Sequence, residues 1–362
     1  MNLNDKIEAI RRQFGSKLLI LGHHYQKEEV IRHTDLRGDS YQLSEAAAQR
    51  TDCEAIVFCG VHFMAETADI LANRNGRRLD VILPDLSAGC DMADMASIAQ
   101  VEQCWTELAK IIDVSDITPI TYVNSTAELK AFCGRNGGTA CTSSNATAVL
   151  RWALERKSRI LFFPDQHLGR NTACRLGIAE KDMPTWKPEL PCGGLSEQEI
   201  RESKIILWDG NCYVHQRFTP EQIDALRQEF PKIQVIVHLE CSKEVVDLAD
   251  DAGSTKLILE KITDSPPGSQ WAVGTEANMV NRLIAMFPDK MIRHLSPEPS
   301  VCDTMGRISI ENLAWSLECL AAGRPQNIIR VPDSIVPDAL VCLERMLVVT
   351  CHGVTATKPN NR

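Results

Sequence analysis

Short, mainly apolar runs recur along the chain at 17–22, 55–59 and 80–83, again at 117–123, 159–163 and 205–207, and again at 235–237, 270–273 and 291–295. Each stops abruptly at a polar or glycine-bearing tip. Runs of this length without alternation predict strands buried on both faces, as in parallel sheets. Between them the apolar positions fall at helical spacing, at 28–34, 42–50, 126–132, 146–155, 243–249, 257–262 and 310–320. Residues 1–14 and 337–349 predict amphipathic helices at the two ends. Strands alternating with helices call for right-handed crossovers and hence an α/β fold.

The pattern also repeats. Strand, polar tip, helix, hydroxyl-bearing helix start, strand, strand and cysteine occur three times, with Gly38-Asp39-Ser40, Cys141-Thr142-Ser143 and Gly253-Ser254-Thr255 in register. A repeat of about one hundred residues is the size of a small domain. The expected architecture is three pseudo-threefold-related α/β/α units with small parallel sheets. They cover 1–113 with the N-terminal helix, 114–230, and 231–362 with the C-terminal helix, and the active site is expected at their central junction.

Composition narrows the function. The 362 residues are 44% hydrophobic with a formal net charge of −9 and only 5% aromatics. A spread acidic charge and few aromatics exclude a basic nucleic-acid face and a base-stacking platform. No apolar run reaches the length of a membrane span, and the charged segment 2–14 does not resemble a signal sequence. A cytoplasmic enzyme is the expectation. In a reducing compartment fourteen cysteines read as thiols, metal ligands or catalytic groups instead of disulfides. Cys53, Cys59, Cys104, Cys319 and Cys342 lie in apolar or helical stretches and are expected in the core.

The cysteines in loops carry the chemistry. Trp208-Asp209-Gly210-Asn211-Cys212-Tyr213-Val214-His215 follows a strand and sets a thiol where open α/β sheets place their ligands. Cys90 and Cys302 follow the last strand of the other two repeats. Three thiolates so related could hold three irons of a [4Fe-4S] cluster and leave the fourth open, which favours Lewis-acid chemistry over electron transfer; unrelated loop cysteines are the alternative. His215 reads as a residue that orients a ligand or caps a helix, or as half of a zinc pair. His62, His167, His294 and His352 carry no chemical argument.

The strand tips supply His23 and Tyr25, Tyr122 and Asn124, and His238 and Glu240, each pair two residues apart and so on one face. Ser40, Ser143 and Thr255 open helices, where a hydroxyl and free N–H groups suit a carboxylate or phosphate. Glu240 is the candidate base, and Tyr25 or His23 the candidate acid.

From His23 to Leu317 these motifs resemble the quinolinate synthase family. The resemblance is carried by His-x-Tyr-Gln, Gly38-Asp39-Ser40, Gly60 to Thr67, Ala88-Gly89-Cys90, Tyr122-Val123-Asn124, Cys141-Thr142-Ser143, Pro164-Asp165, Trp208 to His215, His238-x-Glu240-Cys241, Gly253-Ser254-Thr255, Gly274-Thr275-Glu276 and Cys302-x-x-Met305. It implies condensation of iminoaspartate with dihydroxyacetone phosphate to quinolinate, phosphate and water, in NAD biosynthesis. It also implies a [4Fe-4S] cluster on Cys90, Cys212 and Cys302 with one open iron. Implied substrate contacts are His23, Ser40, Tyr122, Asn124, Ser143, His238, Glu240 and Thr255, with catalysis by Tyr25, Glu240, His23, Tyr122 and His238. An aspartate oxidase or dehydrogenase is the implied transient partner.

The sequence departs from the family pattern at 132–140, which is longer and richer in glycine. Ser296 and Pro299 stand where some relatives carry further cysteines, and Asp209 and His167 where proline and asparagine are expected. Two rival readings remain on the residues alone: an iron-sulfur hydro-lyase acting on a dicarboxylate, and a non-enzymatic cluster-bearing redox sensor.

Overall fold

The computed structural model describes residues 2–50 and 52–355, the last five as backbone only, so the side chain of His352 lies outside the described residues. The chain forms two compact units, Met1–Asp91 with Cys212–Val331, and Met92–Asn211 with Pro332–Arg362.

The first unit contains two sheets. One is built from β1 (Leu18–His23), β2 (Leu36–Gly38), β3 (Ala55–Cys59) and β4 (Asp80–Ile82). The second unit holds β5 (Ile117–Tyr122), β6 (Thr139–Cys141), β7 (Arg159–Phe163), β8 (Thr185–Trp186) and β9 (Ile205–Trp208). The other sheet of the first unit has β10 (Gln234–His238), β11 (Asp251–Gly253), β12 (Gln270–Gly274) and β13 (Met291–His294), while β14 (Ile328–Ile329) adds an antiparallel edge to β4. All other pairings are parallel.

The fold is therefore α/β with three small, mainly parallel sheets, and they share one strand order. It runs β2-β1-β3-β4, β6-β5-β7-β9 and β11-β10-β12-β13, with β14 and β8 as additions at the far edges. Every residue of β1, β3, β5 and β9 is buried, which explains their mainly apolar character. Helices cover the faces. Among them, Leu3–Phe14 lies against Ile310–Ala321, with a 2.7 Å ion pair between Lys6 and Glu318.

The repeat holds at residue level. His23 pairs with Gly38, Tyr122 with Cys141 and His238 with Gly253, each the last residue of its strand. One residue on, His24, Val123 and Leu239 each donate a backbone hydrogen bond to that partner's carbonyl. Asp35 and Asp250 lead into β2 and β11 in the same way: their carboxylates accept from Ile20 N and Val235 N, both at 2.7 Å.

Sequence reading expected three strands per repeat, and the structure has a fourth. The added strands Leu36–Gly38, Thr139–Cys141 and Asp251–Gly253 are three residues long and lie outside the central apolar run. They are too short to show a period.

The last two elements join sheets other than the one they follow in sequence. β14 completes the first sheet. The C-terminal helix Val336–Thr355 packs on the helix Ala127–Arg135, on β6 and on the helix Ala146–Leu154. Gly134 permits that approach, because a Cβ there would lie 2.0 Å from the Asp338 carbonyl oxygen. No helix among the described residues is long and apolar enough to cross a membrane.

Candidate active site

In the first unit the strand ends of two sheets supply matched pairs. His23 closes β1 and His238 closes β10. In both, Nδ1 accepts the backbone N–H two residues on, from Tyr25 at 3.2 Å and from Glu240 at 3.3 Å. That bond fixes the neutral tautomer with its proton on Nε2. Both rings are buried, and desolvation of the charged form lowers His238 to about 4 and His23 well below its ordinary value, so both are neutral donors at physiological pH.

Tyr25 and Glu240 belong to one network through a third residue. The Tyr25 hydroxyl is 2.9 Å from Thr275 Oγ1 and 3.4 Å from His215 Nε2. The other ring nitrogen of His215 is in ion-pair contact with Glu240 Oε2 at 2.9 Å without a hydrogen bond. The His215 ring stacks on His238 at 4.5 Å and 21°. His215, Glu240 and Thr275 are 1%, 4% and 1% exposed, so their charges and dipoles act in a poorly screened setting. Burial first, then the Glu240 charge, push the Tyr25 phenol well above its ordinary pKa and keep it protonated.

The hydroxyls Ser40 and Thr255 are the first residues inside their helices, Ser40–Gln49 and Thr255–Asp264. The capping oxygens belong to Asp39, which accepts from Gln42 N at 2.9 Å, and Ser254, which accepts from Leu257 N at 3.3 Å. Ser40 and Thr255 are thus not the N-caps that the sequence suggested. Each lies two residues beyond the partner of its histidine, at Gly38 and Gly253.

The thiols lie in the same unit. None of the thirteen described cysteines is in a disulfide, and Cys90, Cys212 and Cys302 are half-buried whereas most of the others are buried. Burial raises the Cys212 pKa far above normal, and the negative charges of Glu240, Cys90 and Cys302 add to it, so the three sulfurs share one electrostatic environment. Cys302 Sγ is 3.5 Å from Thr304 Oγ1 and also takes hydrogen bonds from Met305 N–H and the Tyr213 hydroxyl. Among the described residues the one trio of ligating groups with all donor atoms within 4.8 Å is Cys212, His215 and Glu240.

Sequence reasoning missed several residues here. Glu276 is fully buried and accepts from Asn278 N at 2.8 Å, Met279 N at 3.3 Å and Cys302 N at 3.4 Å. Desolvation lifts its pKa to about 7 against those hydrogen bonds. Arg282, 8% exposed, donates to the carbonyls of His24 at 2.8 Å and Gln26 at 2.6 Å and pairs with Glu28 at 3.0 Å. Gln26 in turn donates to Met305 O at 2.9 Å. The available signal was Gly274-Thr275-Glu276 at the end of β12, which the strand-end rule applied to β1 and β10 also covers.

In the second unit Tyr122 is buried at the end of β5 and Asn124 lies two residues further. Asn124 Oδ1 is buried with no hydrogen-bond partner. Lys130, fully buried, holds the flanking carbonyls of Val123 at 2.9 Å and Ser125 at 2.5 Å. Ser143 is half-buried in a turn closed by Asn145 N to Thr142 O at 3.1 Å, three residues before its helix begins. It therefore does not open that helix, although it keeps the place two beyond Cys141.

An α/β protein with repeated parallel sheets, neutral buried histidines, a protonated tyrosine and clustered thiols carries the groups of an enzyme that moves protons. The profile of the family described as quinolinate synthetase A protein matches residues 5–348. The quinolinate synthase of Rhodopirellula baltica is 56% identical over 355 residues, covering 96% of this chain and 91% of that protein. Those of Bacillus subtilis and Corynebacterium glutamicum are 51% and 52% identical, covering 96% of this chain and 94% and 87% of theirs. The chain belongs to the quinolinate synthetase A family, a family of enzymes.

Proposed function

We propose that the protein condenses iminoaspartate with dihydroxyacetone phosphate to quinolinate, phosphate and water, as a step of NAD biosynthesis. The observation that carries this reading is the Tyr25–Thr275–His215–Glu240 network in one unit with three cysteines that form no disulfide, in a member of this family. Cys90, Cys212 and Cys302 would hold a [4Fe-4S] cluster, which when bound supplies an iron with an open coordination position as Lewis acid.

The chain's own groups do the rest. His23 and His238 present Nε2–H donors to substrate carboxylates or carbonyls without adding charge. Ser40 and Thr255, at helix starts with spare N–H groups, favour the anionic ends of the substrates. Tyr25 is the proton donor, because its phenol stays protonated and its oxygen is already oriented by Thr275. Glu240 is the base for proton removal beside a carbonyl, with His215 between the two. Tyr122, Asn124 and Ser143, the register counterparts in the second unit, belong to the proposal as substrate-binding residues. An aspartate oxidase or dehydrogenase would supply the unstable imine in transient contact.

The test is anaerobic reconstitution with iron and sulfide, then assay for quinolinate, in Cys90→Ala, Cys212→Ala and Cys302→Ala variants. Loss of cluster and product together in all three is expected. Full activity in any one rejects that cysteine as a ligand. Turnover of a dicarboxylate without triose phosphate would replace the condensation with a hydro-lyase reaction.

A further inference from the structure

We propose that Cys212, His215 and Glu240 form a site for a single divalent ion of the zinc class when no cluster is bound. Their donor atoms lie within 4.8 Å of one another. Zinc bonds of about 2.0–2.3 Å to nitrogen, oxygen and sulfur set tetrahedral donors roughly 3–4 Å apart, so small side-chain rotations close the site. Cys212 and His215 are joined by one backbone turn, with His215 N bonded to Cys212 O at 3.0 Å, which aims both side chains to one side.

A second observation points to a ligand. The buried Nδ1 of His215 has no hydrogen-bond partner although it lies 2.9 Å from Glu240 Oε2, so a metal would satisfy an atom the fold leaves unsatisfied. On its other side, Nε2 faces Thr275 Oγ1 and the Tyr25 hydroxyl, both at 3.4 Å, which would accept its proton and orient the ring.

The charges balance. A thiolate, a carboxylate and a neutral imidazole neutralise a dication, while Cys212 releases its thiol proton to solvent as the metal–sulfur bond forms. The ion also relieves the repulsion that Glu240 and the neighbouring thiols impose on Cys212. Cys90 and Cys302 take no part. Because Cys212 belongs to both sites, the ion and the proposed cluster exclude each other, and divalent metal would block cluster assembly.

The experiment titrates the cluster-free full-length chain with Co2+, reading thiolate-to-cobalt charge transfer, and then displaces the cobalt with Zn2+. One equivalent is expected, retained in the Cys90→Ser/Cys302→Ser double variant. Affinity should fall by more than roughly a hundredfold in His215→Ala and in the near-isosteric Glu240→Gln, beyond the loss that removing an outer partner causes. The proposal is overturned if the wild-type chain binds no cobalt, or if the double variant loses the band while both His215→Ala and Glu240→Gln keep it. Circular dichroism identifies any variant that fails to fold, and Glu240→Gln then decides. Cobalt binding without iron-sulfur reconstitution would sink only the cluster reading, and the converse only this one.

Discussion

His23, His24 and His238 are each buried in neutral form, with His24 and His238 lowered to about 4 from an ordinary 6.5 and His23 well below its ordinary value. The unfolded chain binds protons at these positions before the folded one does. The stability they contribute is complete above pH 6.5 and is lost as pH falls toward 4. Glu276, raised to about 7 from 4.5, has the opposite sign: it favours the fold at low pH and loses that contribution as pH rises through 7. Urea midpoints measured from pH 7.5 to 4 should therefore fall on acidification, less steeply than three histidines alone would give. Glu276→Gln should steepen the fall and His24→Gln should flatten it; an unchanged slope in both would refute the assignment. Two-residue spacing at strand ends made His23, Tyr25, His238 and Glu240 visible from sequence. It could not reveal Thr275 as Tyr25's partner, because 250 positions separate two residues that meet only in the folded chain.

Among the elements, the helix Ala277–Met286 ties the tip of β1 to the sheet of β10–β13. Its Arg282 satisfies two carbonyls of the 24–26 turn, and its Asn278 side chain donates to Tyr25 O at 3.2 Å. Arg282→Met should keep the bulk but leave both carbonyls unpaired, at a cost on the order of 2–4 kcal/mol. The urea midpoint should drop accordingly, with quinolinate formation reduced through a raised KM as the Tyr25 turn loosens. A variant with unchanged midpoint and kinetics would show that the clamp is idle. Mainly apolar runs located the long strands to within a residue or two, since burial on both faces leaves few polar positions inside them, Thr118 and Thr121 of β5 being buried exceptions. The strands β2, β6 and β11 were hidden because three residues such as Leu-Arg-Gly and Asp-Ala-Gly carry neither a period nor an apolar run.

For the molecule as a whole, the threefold pattern was legible because the same contacts recur at fixed spacing. The paired strand ends lie fifteen residues apart in the first and third sheets and nineteen in the second, where 132–140 had read as long. The place of the final helix was not legible: its apolar face fits any sheet with an open flank. Ala339, Cys342, Leu343 and Met346 are fully buried, and Thr139 donates to Cys342 O at 3.0 Å. A chain ending at Val331 should therefore expose β6 and the helix Ala127–Arg135. Dye binding and loss to the pellet should report that exposure, and a soluble, cooperatively melting product would contradict it.

The backbone leaves the first compact unit after Asp91 and returns to it at Cys212. During synthesis Tyr25, Cys90 and the β1 tip emerge long before the ribosome has read out Thr275, Arg282 and Cys302. The nascent chain must therefore carry a half-built unit, with apolar strands uncovered, across the time needed to make more than a hundred residues. Assembly of the proposed site becomes a late, post-emergence event, and this is the interval in which chaperones have access to it.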